Sequence, residues 1–176
     1  MLAQTATPMS GADRVKWTVK GTLGPASLTA GLFSAGWGTW RNEPKEYGTH
    51  WEGFGKRYGL RVPGVAASAA MESGLGAIWG EDPRYMKSGG PVKQRLKSIV
   101  KQTFFARHDS GGWHPAYARY AAISGSNFLS NTWRPDSEAT TRGASIRIVN
   151  GFLGRMLSNA FGEFGGDAFR RVRRKH

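Results

Sequence analysis

Cysteine is absent from this chain of 176 residues, which excludes disulfide bonds, thiolate metal sites and a cysteine nucleophile. Acidic residues are scarce, because 12 Asp and Glu stand against 25 Lys and Arg and leave a formal net charge of +13. Such a surplus of positive charge favours an anionic partner, which could be a phospholipid surface, an envelope polymer or a nucleic acid. The length of the chain is typical of a single domain.

Recognisable catalytic and DNA-binding motifs are also missing from the sequence. It contains no Gly-x-Ser-x-Gly elbow, no phosphate-binding loop, no zincin helix and no helix-turn-helix module. Its His, Asp and Glu residues do not have the spacing of metal ligands, so we predict no metal site and no cofactor. We favour a non-catalytic protein. A hydrolase-type pocket, the enzymatic alternative, would have to bring together Glu72, Asp82, Arg84 and His108.

Glu72 is the most unusual of these candidates, because it lies among Ala, Met, Gly and Leu. An unpaired carboxylate is costly to bury in such surroundings. Glu72 therefore either lies on an exposed helix face or pairs with a basic residue such as Arg84 or Arg57. Only the second arrangement makes it a candidate site residue.

Long apolar runs are few. Residues 21–40 carry no charge, and about 20 helical residues suffice to cross a bilayer. The segment nevertheless contains five glycines and Pro25, so it is only weakly apolar. Residues 62–79 contain Glu72, which is expensive to place in lipid. The sequence thus favours association with a membrane surface over a membrane span.

Glycine is abundant, with 25 residues, about twice the usual ~7%. Inside a helix each glycine costs ~1 kcal/mol relative to alanine, so glycine-rich helices need close packing to persist. Small residues recur at every fourth position in three segments, which predicts tight helix contacts and allows self-association through the same faces. These stripes are Ala26, Ala30, Ser34 and Gly38; Ala66, Ala70 and Gly74; and Ala118, Ala122 and Ser126.

The hydrophobic periodicity predicts an all-α protein, a compact bundle of five to seven helices, and no strand. Ser10 and Asp13 have the spacing of a helix N-cap pair, and Pro63 is expected to kink or divide a helix. We expect a disordered segment at 1–9, one helical domain at 10–164 and a basic tail at 165–176. The apolar face of the last helix is predicted to comprise Ile146, Val149, Leu153, Met156, Leu157, Ala160, Phe161 and Phe164.

Two segments hold most of the positive charge: residues 91–107 carry +5 and residues 165–176 carry +4. The pattern of residues 91–107 predicts an amphipathic helix that lies on an anionic membrane or polymer. Basic residues interleaved with aromatics in both segments also fit non-specific nucleic-acid binding, which is the alternative partner. The predicted apolar side of this helix is Val92, Leu96, Ile99, Val100 and Phe104, and the predicted binding residues are Lys93, Lys97, Lys101, Arg170, Arg171, Arg173 and Arg174.

Five short motifs occur in a fixed order: EYGTHWEGFGKRYG, GEDPRYMKSG, ARHDSGG, SNFLSNTWRPDSE and NAFGEF. In this respect residues 13–164 resemble an uncharacterised family of small, glycine-rich bacterial proteins with GKR[FY]G, [HE]DPRY[FM], HD-S-G and SN-x-[WY]-x-P motifs. The resemblance implies a helical protein of the cell envelope, periplasmic or membrane-associated, and no established activity. No basic-then-apolar leader is present, and the LAQTATP stretch is similar to the region after a signal-peptidase site, so we expect residues to precede Met1.

Overall fold

The computed structural model describes the backbone of residues 8–173 and the side chains of residues 8–166. Six α-helices occupy most of this range, which confirms the predicted all-α bundle. The predicted disordered segment falls mostly on residues 1–7, which lie outside the described residues, and the last helix continues into the predicted basic tail. The helices are α1 (Gly11–Leu23), α2 (Pro25–Arg41), α3 (Trp51–Trp79), α4 (Val92–Phe104), α5 (Tyr117–Leu129) and α6 (Thr141–Arg173).

Helix α3 is the centre of the bundle, because α1, α2 and α5 all pack against it. It runs through Pro63 as one helix of 29 residues, so the predicted division at this proline is wrong. A proline inside a helix removes one backbone hydrogen bond, and packing against three neighbouring helices offsets that loss. The helix ends at Gly80, whose φ of 70° is left-handed and suits glycine. The predicted N-cap of α1 is confirmed: the Asp13 amide donates to Ser10 Oγ at 3.2 Å.

A small antiparallel sheet corrects the prediction that the chain has no strand. Its strands are β1 (Glu81–Asp82), β2 (Phe105–His108) and β3 (Trp113–Pro115), with β2 in the middle. The predicted helix over 91–107 therefore ends at Phe104, and the chain turns between β2 and β3 at Gly111 and Gly112, both with positive φ. Strands of two to four residues are too short to show the alternation that identifies a strand in a sequence.

The core of the bundle is small and polar. Seven of the nine buried hydrophobic residues among the described positions are alanines, and the largest fully buried side chain there is Thr103. Large apolar side chains point outward instead, as the exposed fractions of Trp51 (86%), Ile78 (77%) and Phe161 (75%) show. Soluble monomers usually bury such residues and keep charged ones outside. The buried polar and charged set includes Arg14, Arg57, Glu72, Glu81, Asp82, Gln102, Arg119, Asn159 and Glu163.

Only one of the three predicted small-residue stripes packs as expected. Ala118, Ala122 and Ser126 are buried on α5, which packs against α3. On α2 and α3 the predicted register is wrong, because Ala30 and Ala70 are exposed. The buried small residues there are Gly31 and Ala35 on α2, and Ala69, Ser73 and Gly76 on α3. Self-association through the exposed small-residue faces stays a prediction.

Two glycines of α2, Gly31 and Gly38, make room for side chains of α3. A Cβ atom on Gly31 would lie 2.9 Å from the Tyr58 ring and 3.1 Å from Arg61 Nη1. On Gly38, it would lie 3.1 Å from Arg57 Cδ. Two glycines seven positions apart on α2 therefore accommodate two arginines four positions apart on α3. The sequence prediction of close packing holds, but the groups that approach are largely guanidinium-bearing side chains.

Substituting alanine at two glycines of α2 should have opposite effects on stability. We expect Gly31→Ala to destabilise the fold by about 1–2 kcal/mol, because the new methyl group overpacks against the Tyr58 ring. Gly36→Ala should stabilise it by up to about 1 kcal/mol, since nothing lies within 4 Å of that position and alanine is the better helix former. Urea denaturation of both variants measures the difference. Equal effects would contradict the proposed contact.

Candidate functional site

A buried ion cluster lies at the centre of the bundle around Glu72. Its Oε1 atom accepts hydrogen bonds from Arg119 Nε at 2.8 Å and from Arg155 Nη2 at 2.6 Å. The side chains of Glu72 and Arg119 are only 7% and 3% exposed. Burial lowers the pKa of Arg155 to about 10, against the opposing effect of the Glu72 charge. Glu72 therefore pairs with the buried Arg119 and the partly buried Arg155, not with Arg84 or Arg57, the partners suggested by the sequence.

The two arginines of this cluster also bind backbone carbonyls, which ties four helices together. Arg119 Nη1 donates to the carbonyl oxygens of Gln102 and Thr103 on α4. Arg155 Nη2 donates to Pro83 O at 2.8 Å, in the segment after β1. The cluster thus joins α3, α4, α5 and α6, and Glu72 is held between two cations. This geometry fits a structural centre better than a proton-transfer site.

The four candidates for a hydrolase-type pocket do not form one constellation. Asp82 and Arg84 contact each other, with Arg84 Nη2 2.5 Å from Asp82 Oδ2. Glu72 is bound by arginines from α5 and α6, as described above. His108 Nδ1 lies 2.7 Å from Ser110 Oγ, and its ring packs edge-on against His114 with centroids 5.2 Å apart. The expectation that these groups would converge in one pocket is not met by these contacts.

Glu163 on α6 is a second buried hub, and the sequence reading did not single it out. Its carboxylate accepts hydrogen bonds from Tyr85 Oη at 2.7 Å, Arg95 Nε at 2.9 Å and the backbone amides of Ser88 and Gly89, both at 3.1 Å. Burial alone would raise its pKa, but these hydrogen bonds outweigh that effect and lower the pKa. The Glu163 carboxylate therefore binds the second half of the GEDPRYMKSGG segment to α6, in addition to the contact of Arg155 with Pro83 O. Only the position of Glu163 in the NAFGEF motif pointed to it.

Burial raises the pKa values of two residues in and beside this segment, Tyr85 and Glu81. Burial, assisted by the hydrogen bond to Glu163, raises the pKa of Tyr85 to about 12. Burial also raises the pKa of Glu81, although hydrogen bonds from the first turn of α5 oppose the shift. Glu81 accepts from the Ala118 amide with both carboxylate oxygens, at 3.3 and 3.1 Å. Its role is to cap α5, since a carboxylate is favourable at a helix N-terminus.

Helix α4 presents an amphipathic surface to the outside. Val92, Leu96 and Val100 are exposed in one row, and Lys93, Lys97 and Lys101 form the adjacent exposed row. Of the predicted apolar side, only Ile99 is buried; the other residues facing the protein are polar. These inward residues are Arg95, Gln102 and Thr103, with Arg95 paired to Glu163. The other predicted binding residues, Arg170, Arg171, Arg173 and Arg174, have side chains outside the described residues.

Helix α6, like α4, turns its apolar side outward and its polar side toward the protein. Ile146, Val149, Leu153, Leu157 and Phe161, which the sequence pattern places on the apolar face of the last helix, are exposed. The opposite side of the helix carries polar residues that bind within the protein: Arg147, Arg155, Asn159 and Glu163. The amphipathic pattern is real, but its apolar side points away from the bundle.

Comparison of the chain with protein-family models, with curated proteins and with solved structures finds no match. The family resemblance therefore stays a prediction from the five motifs. Over the described residues, no helix combines the length and apolar character needed to cross a membrane. Within the same range, no group of three or more His, Asp and Glu could hold a metal ion.

Proposed function

We propose that this protein is a non-catalytic component of the cell envelope that binds an anionic membrane surface through α4. One observation carries the proposal: the apolar row Val92, Leu96 and Val100 lies directly beside the lysine row Lys93, Lys97 and Lys101, and both rows are exposed. An amphipathic helix in the membrane interface needs this arrangement, with apolar side chains in the acyl boundary and cations at the headgroups. Lysine stems can lie along the apolar surface while the ammonium groups remain in water.

The rows of α4 are available without any rearrangement of the bundle. Arg95, Ile99 and Gln102 hold the inner side of the helix in place, so the outer side chains can leave water while the fold stays intact. Each lysine near an anionic membrane surface contributes about 1 kcal/mol, and burial of the apolar row adds to this. Contiguous exposed apolar surface of this kind is typical of interaction sites.

Helix α1 repeats the pattern on a smaller scale. Val15, Val19 and Leu23 are exposed at every fourth position, and the exposed Lys16 and Lys20 come directly after Val15 and Val19 in the sequence. Two helices with adjacent apolar and lysine rows support membrane-surface binding as a general property of this chain. The basic segment at 170–175 is expected to add to the attraction.

Removing the lysine row should abolish most binding to anionic vesicles. We expect Lys93→Gln, Lys97→Gln and Lys101→Gln together to weaken binding about 100-fold, since three lysines contribute roughly 3 kcal/mol. Co-sedimentation with vesicles of phosphatidylglycerol and phosphatidylcholine measures the effect. Wild-type binding should also fall as salt is raised, because exposed charges are screened.

A matched control removes the same charge from elsewhere on the protein. Lys45, Lys56 and Lys87 are exposed and lie outside α4, so changing all three to glutamine should leave vesicle binding within about threefold of wild type. Equal losses in both triple variants would mean that net charge alone drives binding. Gel shifts with DNA and RNA at the same salt provide the second comparison. Binding to nucleic acid without binding to vesicles would overturn the proposal.

A further inference from the structure

A polar pocket of about 170 Å³ opens between α2, α3 and the segments that follow α2 and α5. Its walls include Tyr47, Arg57, Arg61, Arg134 and Glu138. It is separate from α4 and from the ion clusters around Glu72 and Glu163. The volume is several times the ~30 Å³ share of one water molecule, so a small polyatomic ligand has room to enter.

Arg57 contributes positive charge to this pocket without a carboxylate partner for its guanidinium. Its Nε atom donates to Glu43 O and its Nη2 atom to Pro44 O, both at 2.8 Å. Its Nη1 atom donates to Gly48 O at 2.8 Å and to Thr39 Oγ1 at 3.3 Å. All four acceptors are neutral oxygens. The group is well hydrogen-bonded and buried, and these contacts leave its charge uncompensated.

Arg61 lies one helical turn further along α3, on the wall of the same pocket. Its guanidinium has no hydrogen-bond or ion-pair partner among the described residues, although it is partly buried next to Gly31. Burial lowers its pKa, with only Tyr58 opposing. A partly desolvated guanidinium with open N–H groups favours an anion as its partner, because an anion compensates the charge as well as the hydrogen bonds.

Tyr47 supplies a second open hydrogen-bonding group at this wall. Its hydroxyl is buried and has no partner among the described residues. Leaving a buried hydroxyl unsatisfied is unfavourable, and such groups in native proteins call for a water or ligand. The acids of the pocket are already engaged: Glu138 pairs with Arg134 at 2.5 Å and Glu43 with Arg41 at 3.2 Å. Two uncompensated arginines and one open hydroxyl therefore remain.

We infer that this pocket binds a phosphate-type oxyanion, with Arg61 and the Tyr47 hydroxyl as its ligands and Arg57 as a fixed positive charge. The planar fork of an arginine matches the oxygens of a phosphate group, and hydrogen bonds to an ionised acceptor are the strong ones. Free phosphate and the phosphate of a lipid headgroup share this chemistry. The pocket joins two of the ordered motifs, since Arg57 lies in GKRYG and Arg134 in the segment SNTWRP.

Thermal unfolding and calorimetry of the full chain with inorganic phosphate test the inference. A ligand that binds only the folded state raises the melting temperature, so we expect phosphate to stabilise the wild type. Arg61→Gln should weaken phosphate binding about tenfold or more, because it removes charge-assisted hydrogen bonds. The control Lys56→Gln removes one positive charge from an exposed site on the same helix, and it should retain wild-type affinity.

Tyr47→Phe separates ligand binding from a structural role. Because the hydroxyl has no partner, its removal should leave the phosphate-free melting temperature unchanged or higher, while the phosphate affinity falls about threefold to tenfold. Competition by dihexanoyl phosphatidylglycerol as monomer would identify a headgroup as the ligand, and no competition would identify free phosphate. An equal response to acetate, no response to phosphate, or an undiminished response in the Arg61→Gln variant would overturn the inference. None of these outcomes depends on vesicle binding by α4.

Discussion

Glu72→Ala is expected to destabilise the fold by about 3–5 kcal/mol, because it leaves the buried Arg119 and the partly buried Arg155 without their shared carboxylate. Both guanidinium groups lie within 2.8 Å of Glu72 Oε1; the Arg119 side chain is only 3% exposed, and that of Arg155 is 18% exposed. A loss of this size is a large part of the usual 5–15 kcal/mol stability of a domain. Urea denaturation at neutral pH is the measurement, and partial unfolding of the variant in the absence of urea counts as the same result.

The exposed pair Glu52–Lys56 on the same helix is the matched control. Its atoms are 2.6 Å apart, but the two side chains are 78% and 49% exposed, so Glu52→Ala should cost at most about 0.5 kcal/mol. A double-mutant cycle with Arg155→Met isolates the buried interaction. Removing Glu72 and Arg155 together should cost less than the sum of the single losses, since fewer charges then lack a partner. A purely additive result would contradict the coupling.

Glu163→Gln should be the second most damaging substitution, with an expected loss of about 3–5 kcal/mol at neutral pH. All the groups bound to this carboxylate are donors: Tyr85, Ser88, Gly89 and Arg95. A glutamine offers one acceptor oxygen and places an NH₂ group against donors on its other side. Because the segment 83–90 is fixed by these contacts, we also expect faster amide hydrogen exchange there. Slow exchange in the variant would show that other contacts hold the segment.

The same residue predicts a pH dependence of stability. The pKa of Glu163 is lower in the folded protein than its ordinary value of 4.5, so its contribution is complete above that value. It is lost as pH falls through the lower folded pKa, because the unfolded chain then binds the proton more readily. Urea denaturation from pH 6 to pH 3 should show a smaller loss for Glu163→Gln than for the wild type. Parallel curves would contradict this assignment.

The sequence predicts where the helices lie but not which side of them faces inward. Helical periodicity locates α6, yet its row from Ile146 to Phe161 points outward and Glu163 points inward. Periodicity records that two sides of a helix differ, and the assignment of the apolar side to the core is an added assumption. That assumption fails here because the interior is filled by alanines and by charged groups with partners. For the same reason, the predicted stripes containing Ala30 and Ala70 were assigned to the wrong side of their helices.

The partners of Glu72 are a second feature that could not be predicted from the sequence. The sequence leaves Glu72 two options, an exposed helix face or pairing with a cation, because an unpaired carboxylate is costly to bury. Its partners are 47 and 83 residues away along the chain, on α5 and α6. Nothing local distinguishes them from the chain's other basic residues. The pocket at Arg61 and Tyr47 is hidden for the same reason, since α2 and α3 must be docked before it exists.

The hub at Glu163 also sets an order of events on the ribosome. Gly89 leaves the peptidyl-transferase centre 74 residues before the carboxylate that will hold it. At translation rates of ~5–20 residues per second, that interval lasts about 4–15 s. During this time Gly89 and Arg95 are synthesised but cannot yet form their contacts with the Glu163 carboxylate. The bundle can therefore be completed only late in synthesis, once the last helix has left the ribosome.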